Sequence, residues 1–132
     1  MSTSYTIGQA AVLLGVSSDT ARRWADAGRI PTHHDGARRV VDGAGLATFC
    51  VQLAQENAAG NDEPPTTSTR NAFAGIVTAA KLGEIDAQVE IQSGPHRLVS
   101  LVTREAVEEL GLQVGMEATA RVKSTSVHVD RI

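Results

Sequence analysis

The second half of the chain carries polar groups that are nearly all hydrogen-bond donors. Arg70 and Lys123 are cationic, Ser68, Ser124 and Ser126 bring hydroxyls, and Thr103 stands at the start of a short helical segment. A tetrahedral dianion presents acceptors only, and holding one away from water requires compensating charge and a full set of hydrogen bonds. Backbone N–H groups at a helix start or a strand irregularity can complete such a set. The stretch RVKSTSVHV, residues 121–129, contains an irregularity of this kind. Ala118, Ala120 and Val122 put apolar side chains on even positions, whereas Val127 and Val129 put them on odd ones. A period of two cannot change parity without a bulge or a bend. The pattern predicts a strand over 116–130 whose middle, Lys123 to Ser126, frees N–H groups and forms an anion seat.

The elements that must position these groups fall into two sets. In the first, Thr6 and Gln9 have the form of a capping box, and Ile7, Ala10, Ala11 and Leu14 mark one face of a helix. Gly15 ends it. Ser17 caps a second helix running to about Ala27, with Gly28 at its C′ position. The short loop between them has helix-turn-helix spacing. Asp35-Gly36 is a tight-turn dipeptide within a small hairpin. Asp42 opens a third helix through about Gln55, with Leu46, Phe49, Cys50 and Leu53 inside.

Beyond residue 70 the period changes to two. Phe73 to Leu82 reads as a strand, and Ile85, Ala87, Val89 and Ile91 alternate with polar residues as a half-buried one. Residues 97–102 follow as a third strand after Ser93-Gly94-Pro95, then a helix from about Arg104 to Leu110 closed by Gly111. Several strands with one short helix predict a small closed barrel. Between the two sets, NAAGNDEPPTTST lacks the apolar surface needed to order itself and reads as a linker.

Composition narrows the chemistry. The chain has 132 residues, 42% of them hydrophobic, with one Trp, one Tyr and two Phe. Its cores must therefore be built from small aliphatic residues and stay modest. A single cysteine, Cys50, excludes an intrachain disulfide and any multi-cysteine metal site. The sequence offers no nucleophile–base pair, no His/Cys metal cluster and no phosphate-binding glycine loop, so neither an enzyme nor a catalytic cofactor is expected. With no transmembrane-length apolar stretch and no signal-like start, the expectation is a cytoplasmic protein without a membrane partner. Residues 1–57 hold five arginines against five acidic residues, and residues 61–132 hold seven basic against ten acidic ones. Any nucleic-acid contact must rest on local clustering. The second set, with Phe73 as its single aromatic and a net charge of −3, lacks the platforms of a single-strand binder.

The stretch YTIGQAAVLLGVSSDTARRWADAGRIP resembles the start of a MerR-type or excisionase-type winged helix-turn-helix, and DGARRV resembles that family's wing. The resemblance covers about 50 residues and implies binding to double-stranded DNA. Ser17, Ser18 and Thr20 at the start of the second helix suit phosphates. Arg22 matches the family's DNA-contacting arginine on that helix and is placed to reach a base edge or a phosphate. Arg38 and Arg39 at the hairpin suit backbone or minor-groove contacts, with His33 and His34 as weaker candidates. Arg23 is open between a DNA contact and a solvated charge, as is Arg29; Trp24 is assigned to the core. The balanced charge of this half predicts modest affinity for one copy, which a dimer reading two half-sites corrects.

In the second half, STRNAFAGIV followed by LVTREAVEELGLQVGMEATARVKSTSV is similar to the molbindin (TOBE/Mop-type) domain. That resemblance implies an OB-like barrel binding molybdate or tungstate as the intact oxyanion, with no direct metal coordination. By motif match Ser68, Arg70 and Asn71 belong to the first part of the site, Thr103 to the helix start, and Lys123, Ser124 and Ser126 to the last. The family's sets commonly come from different subunits, so Ser68 and Arg70 are expected from a partner chain. Ala106 stands where many relatives have serine, and Glu105 is expected to face water.

The expected fold class is α+β: a mainly-α winged helix-turn-helix over 1–57, a linker over 58–67, and a small OB-like β-barrel with one short helix over 68–132. The expected function is a molybdate- or tungstate-responsive transcriptional regulator, a homodimer or higher homo-oligomer through its barrels. The alternative is an intracellular molybdate buffer with a vestigial helix-turn-helix.

Overall fold

A computed structural model describes residues 3–57 and 66–132. The expected linker at 58–67 lies almost wholly outside the described residues. The chain divides into two compact units, residues 1–64 and 65–132.

The first unit runs β1 (Ser4–Thr6), α1 (Ile7–Leu14), α2 (Ser18–Asp26), β2 (Thr32–Asp35), β3 (Arg38–Asp42) and α3 (Gly43–Asn57). Thr6 accepts a hydrogen bond from the Gln9 N–H while the Gln9 side chain accepts from the Thr6 N–H, so the capping box forms. The Ser17 hydroxyl accepts from the Thr20 N–H and starts α2. At its other end the Gly28 and Arg29 N–H groups donate to the Ala25 and Trp24 carbonyls, a Schellman closure. The hairpin turns through Gly36 (φ 66°) and Ala37, and only glycine enters that first turn position without strain. The core gathers Ala10, Ala25, Ile30, Val41, Leu46 and Phe49, with Trp24, Cys50 and Leu53 packed against it.

Strand β1 was not foreseen, because three residues carry no legible period. It joins the wing as a third strand in the order β1-β3-β2, with Tyr5 opposite Val41. Asp42 closes β3 and also opens the helix as expected, its carboxylate accepting from the Gly45 N–H at 3.3 Å.

The second unit runs β4 (Asn71–Leu82), β5 (Asp86–Ser93), β6 (His96–Thr103), α4 (Arg104–Leu110) and β7 (Glu117–Val122), then a 3-10 turn, Ser124–Ser126. Its antiparallel sheet has the order β6-β5-β4-β7. β4 serves two partners: residues 71–76 pair with β7 and 76–82 with β5. The handover falls at Gly75, where a Cβ would stand 2.2 Å from the Gln92 carbonyl oxygen. A bulge at Val77/Ala79 adds to the bend. The sheet curls so that its edges β6 and β7 line one hollow together with α4. This is an OB-like half-barrel: one chain does not pair β6 with β7, so the closure expected from the sequence is incomplete. The core is Val77, Ala87, Val89, Ile91 and Val107.

Two expected boundaries move. Ile85 lies outside β5 and is 81% exposed, because its carbonyl accepts from the Arg104 N–H in the turn before Asp86. The last strand stops at Val122 instead of continuing to 130. Val127 and Val129 are exposed, so the parity change marks the end of a strand and not a slip within one.

Candidate functional site

The two ends of the second unit are brought together by the β4–β7 ladder. Asn71 lies opposite Val122, and its side-chain amide donates to the Val122 carbonyl at 3.1 Å. Ser68 and Arg70 precede this last pair and Lys123 and Ser124 follow it, so both segments flank the same end of the ladder.

Lys123 has extended geometry (φ −62°, ψ 143°) and leads into the 3-10 turn. Its carbonyl accepts from the Ser126 N–H at 2.9 Å, and the Ser124 carbonyl from the Val127 N–H at 3.4 Å. The first N–H groups of any helical turn have no partner within it. Those of Ser124 and Thr125 open this turn, at a change of secondary structure and not at a bulge. Ser68, Arg70, Lys123, Ser124 and Ser126 are all exposed, and Asn71 is half-buried.

Arg121, not singled out in the sequence, is exposed, pairs with Ala72 and lines the hollow between β6 and β7.

Thr103 is not brought to these residues. It pairs with Asp86, near the Leu82 end of β4, while Lys123 adjoins the Asn71 end. A straight strand of that length spans on the order of 35 Å. The Thr103 hydroxyl caps α4 by accepting from the Ala106 N–H at 3.0 Å. Around it lie Glu84, Glu105 and Glu108, with Arg104 already paired to Glu108. Glu105 is exposed as expected, whereas Ala106 is half-buried and lines the apolar hollow with Val89, Ile91 and Leu112. None of Ser68, Arg70, Lys123 or Ser124 lines that hollow.

In the first unit the candidate DNA contacts divide by what already holds them. Arg22 and Arg38 are exposed and make no side-chain hydrogen bond or ion pair among the described residues, and the same holds for His34. Ser18 is exposed at the first turn of α2. Ser17 and Thr20 bond to each other, and Arg23 donates to the Thr20 hydroxyl at 3.2 Å. Arg39 pairs with Asp26 at 2.5 Å and donates to Thr32. Arg29 is not a solvated charge: it pairs with Glu56 at 2.8 Å, and its guanidinium lies 5.4 Å from the Trp24 ring and 5.5 Å from Phe49. The Schellman closure sets this up by turning Arg29 back over the helix end.

Among the described residues there is no cluster of His, Cys, Asp or Glu able to hold a metal ion, and no helix long and apolar enough to cross a membrane.

Comparison with known proteins assigns residues 67–129 to the TOBE domain and residues 4–49 to a helix-turn-helix domain. The chain is 40% identical over 63 residues to molybdenum-pterin-binding protein 1 of Clostridium pasteurianum, covering 47% of this chain and 93% of that one. It is 42% identical over 62 residues to the molybdenum transport protein ModE of Azotobacter vinelandii, covering 46% of this chain but 23% of the relative. The solved structure of MopII from Clostridium pasteurianum covers 50% of this chain and all of its own, at 37% identity and a TM-score of 0.48. Because it matches a molybdenum-pterin-binding protein over nearly all of that protein's length, the chain belongs to the TOBE-domain family of molybdenum-pterin-binding proteins, joined here to a helix-turn-helix domain.

Proposed function

We propose that this protein is a molybdate- or tungstate-responsive regulator that binds operator DNA through its first unit. The observation that supports the ligand half is the β4–β7 register, whose last pair, Asn71 with Val122, has Ser68 and Arg70 just before it on one side and Lys123 and Ser124 just after it on the other. Two cations and an all-donor neighbourhood match an oxyanion that accepts hydrogen bonds and offers none. The names of the relatives point to the same ligand. Such a site is open on one side, and exposed Phe73 follows Asn71 by two residues on β4, so a second copy meeting the half-barrel encloses the anion. Thr103 of that copy is the candidate for the missing hydroxyl. The helix-turn-helix, with Arg22 and Arg38 exposed, supplies the DNA half, and no catalytic step is assigned.

Calorimetric titration with sodium molybdate, tungstate, sulfate and phosphate tests the ligand. Lys123→Ala removes a charged hydrogen bond, normally worth about 1.5–3 kcal/mol, so molybdate affinity is expected to fall about 10- to 100-fold. A wild type that takes none of the four ions, or an unchanged affinity in the variant, sinks the site. DNA binding with and without molybdate gives the sign of regulation, since a ligand shifts an equilibrium only by its differential affinity for the two states.

A second reading, an intracellular molybdate buffer with a vestigial helix-turn-helix, draws support from the arginines of the first unit. Arg29 and Arg39 are held in ion pairs and Arg23 by Thr20, which leaves little positive charge facing outward. Failure to retain any DNA fragment selectively, with molybdate binding intact, selects it.

A further inference from the structure

Arg39 sits in β3 of the wing, yet its guanidinium is shared between two other elements. Its Nε donates to the Thr32 hydroxyl of β2 at 3.1 Å, and its Nη1 to the Asp26 carboxylate of α2 at 2.5 Å. The side chain is 31% exposed, so it lies along the protein more than out from it. Asp26 is the last residue of α2. A carboxylate there faces the negative end of the helix dipole and is unfavourable unless a cation offsets it. No extended backbone packing joins α2 to the β2–β3 hairpin. Arg39 is therefore a side-chain link where the backbone supplies little.

Resting on the DNA-binding reading above, we propose that Arg39 is a positioning residue and not a DNA contact. It ties the wing to the end of the recognition helix, so that Arg22 on α2 and Arg38 on the wing meet one stretch of duplex together. A guanidinium held by Thr32 and by the Asp26 carboxylate has its charge offset by that carboxylate and its side chain laid along the protein, which disfavours reaching out to a phosphate. Arg38, its neighbour, points to the opposite face of the strand and has no such commitment.

The two roles predict opposite signs for Asp26→Asn. If Arg39 contacts phosphate, the substitution frees it, removes a negative charge and strengthens DNA binding. If Arg39 positions the wing, the substitution weakens binding severalfold. The experiment uses the full chain and a fluorescein-labelled mixed-sequence duplex, followed by anisotropy across a salt series. Log affinity falls with log salt by about 0.9 per phosphate neutralised. Arg38→Ala is expected to make that slope shallower by about one contact per bound copy. Arg39→Ala and Asp26→Asn are expected to lower affinity at an unchanged slope, and the exchanged pair Asp26→Arg with Arg39→Asp to recover most of it. A shallower slope in Arg39→Ala, or tighter binding in Asp26→Asn, overturns the proposal. Amide hydrogen exchange without DNA judges the link separately: Asp26→Asn is expected to speed exchange across Thr32–Asp42 while α3 keeps its protection. Unchanged exchange there also overturns the proposal. If wild type binds no duplex but shows this exchange pattern, the DNA-binding reading fails while the link stands as structure.

Discussion

Gly75 is the residue on which the curl of the second unit depends. Ala74 on one side of it pairs with β7 alone, while Ile76 on the other pairs with both β7 and β5. A methyl group at this position would meet the Gln92 carbonyl oxygen at 2.2 Å, well inside contact distance, and that oxygen belongs to backbone that cannot swing aside. Gly75→Ala is expected to destabilise the unit by about 1–3 kcal/mol, the usual cost of overpacking. Urea denaturation reads this as a lower midpoint with an unchanged slope. An unaltered midpoint means that the sheet opens at no cost, and the close crossing of β4 over β5 is then wrong. Arg29 makes the complementary point: its partners Trp24, Phe49 and Glu56 lie up to 27 residues away, and no local rule in the sequence selects them.

At the scale of elements, the β5–β6 hairpin holds an ion pair that acts on a carboxylate's titration. Arg97 on β6 reaches diagonally to Glu90 on β5, forming an ion pair and a hydrogen bond. The Arg97 hydrogen bond holds the Glu90 carboxyl below its ordinary value of 4.5 against desolvation, which raises it, with the Arg97 charge, the Gln88 amide and Lys81 adding to the lowering. A carboxyl lowered in the folded state stabilises the fold above its unfolded pKa, and that stability disappears as pH falls through the folded value. The melting temperature of the second unit is therefore expected to drop on acidification below about pH 4.5, the ordinary carboxylate range. Glu90→Gln should flatten that part of the profile; an identical profile in the variant means the pair is solvent-screened and inert. The elements themselves were unevenly legible. Capping boxes, the Gly28 stop and the hairpin glycine act within a few residues, so α1, α2 and the wing could be read directly. The end of β7 could not, because Val127 and Val129 continue an apolar alternation that no facing strand receives.

For the whole molecule, a ligand confined to the second unit should stabilise that unit alone. Binding to the folded state adds about 2.7 kcal/mol at a free ligand concentration near 100 Kd. Scanning calorimetry with molybdate is expected to raise one transition by on the order of 10 °C, a shift appropriate to a domain of this size, and to leave the other where it was. A shift of both transitions, or of neither, contradicts a ligand site confined to β4, β7 and the turn after them. The donor residues of that site were visible from their types, since an all-donor set points to an anion wherever it folds. Their grouping was not. Ser68 and Lys123 are more than fifty residues apart, and only the antiparallel register of β4 with β7 brings the strand ends they flank together, while Thr103 pairs with Asp86 near the Leu82 end of β4. The sequence by itself determined the helices, their caps, the wing turn and the chemistry of the donors, because each depends on neighbours within a turn or a strand. Tertiary structure alone decided the half-barrel's open edges, the engagement of Arg39 and Arg29, and the stop at Val122. Those depend on which distant backbone or carboxylate arrives alongside, and spacing along the chain does not encode that arrival.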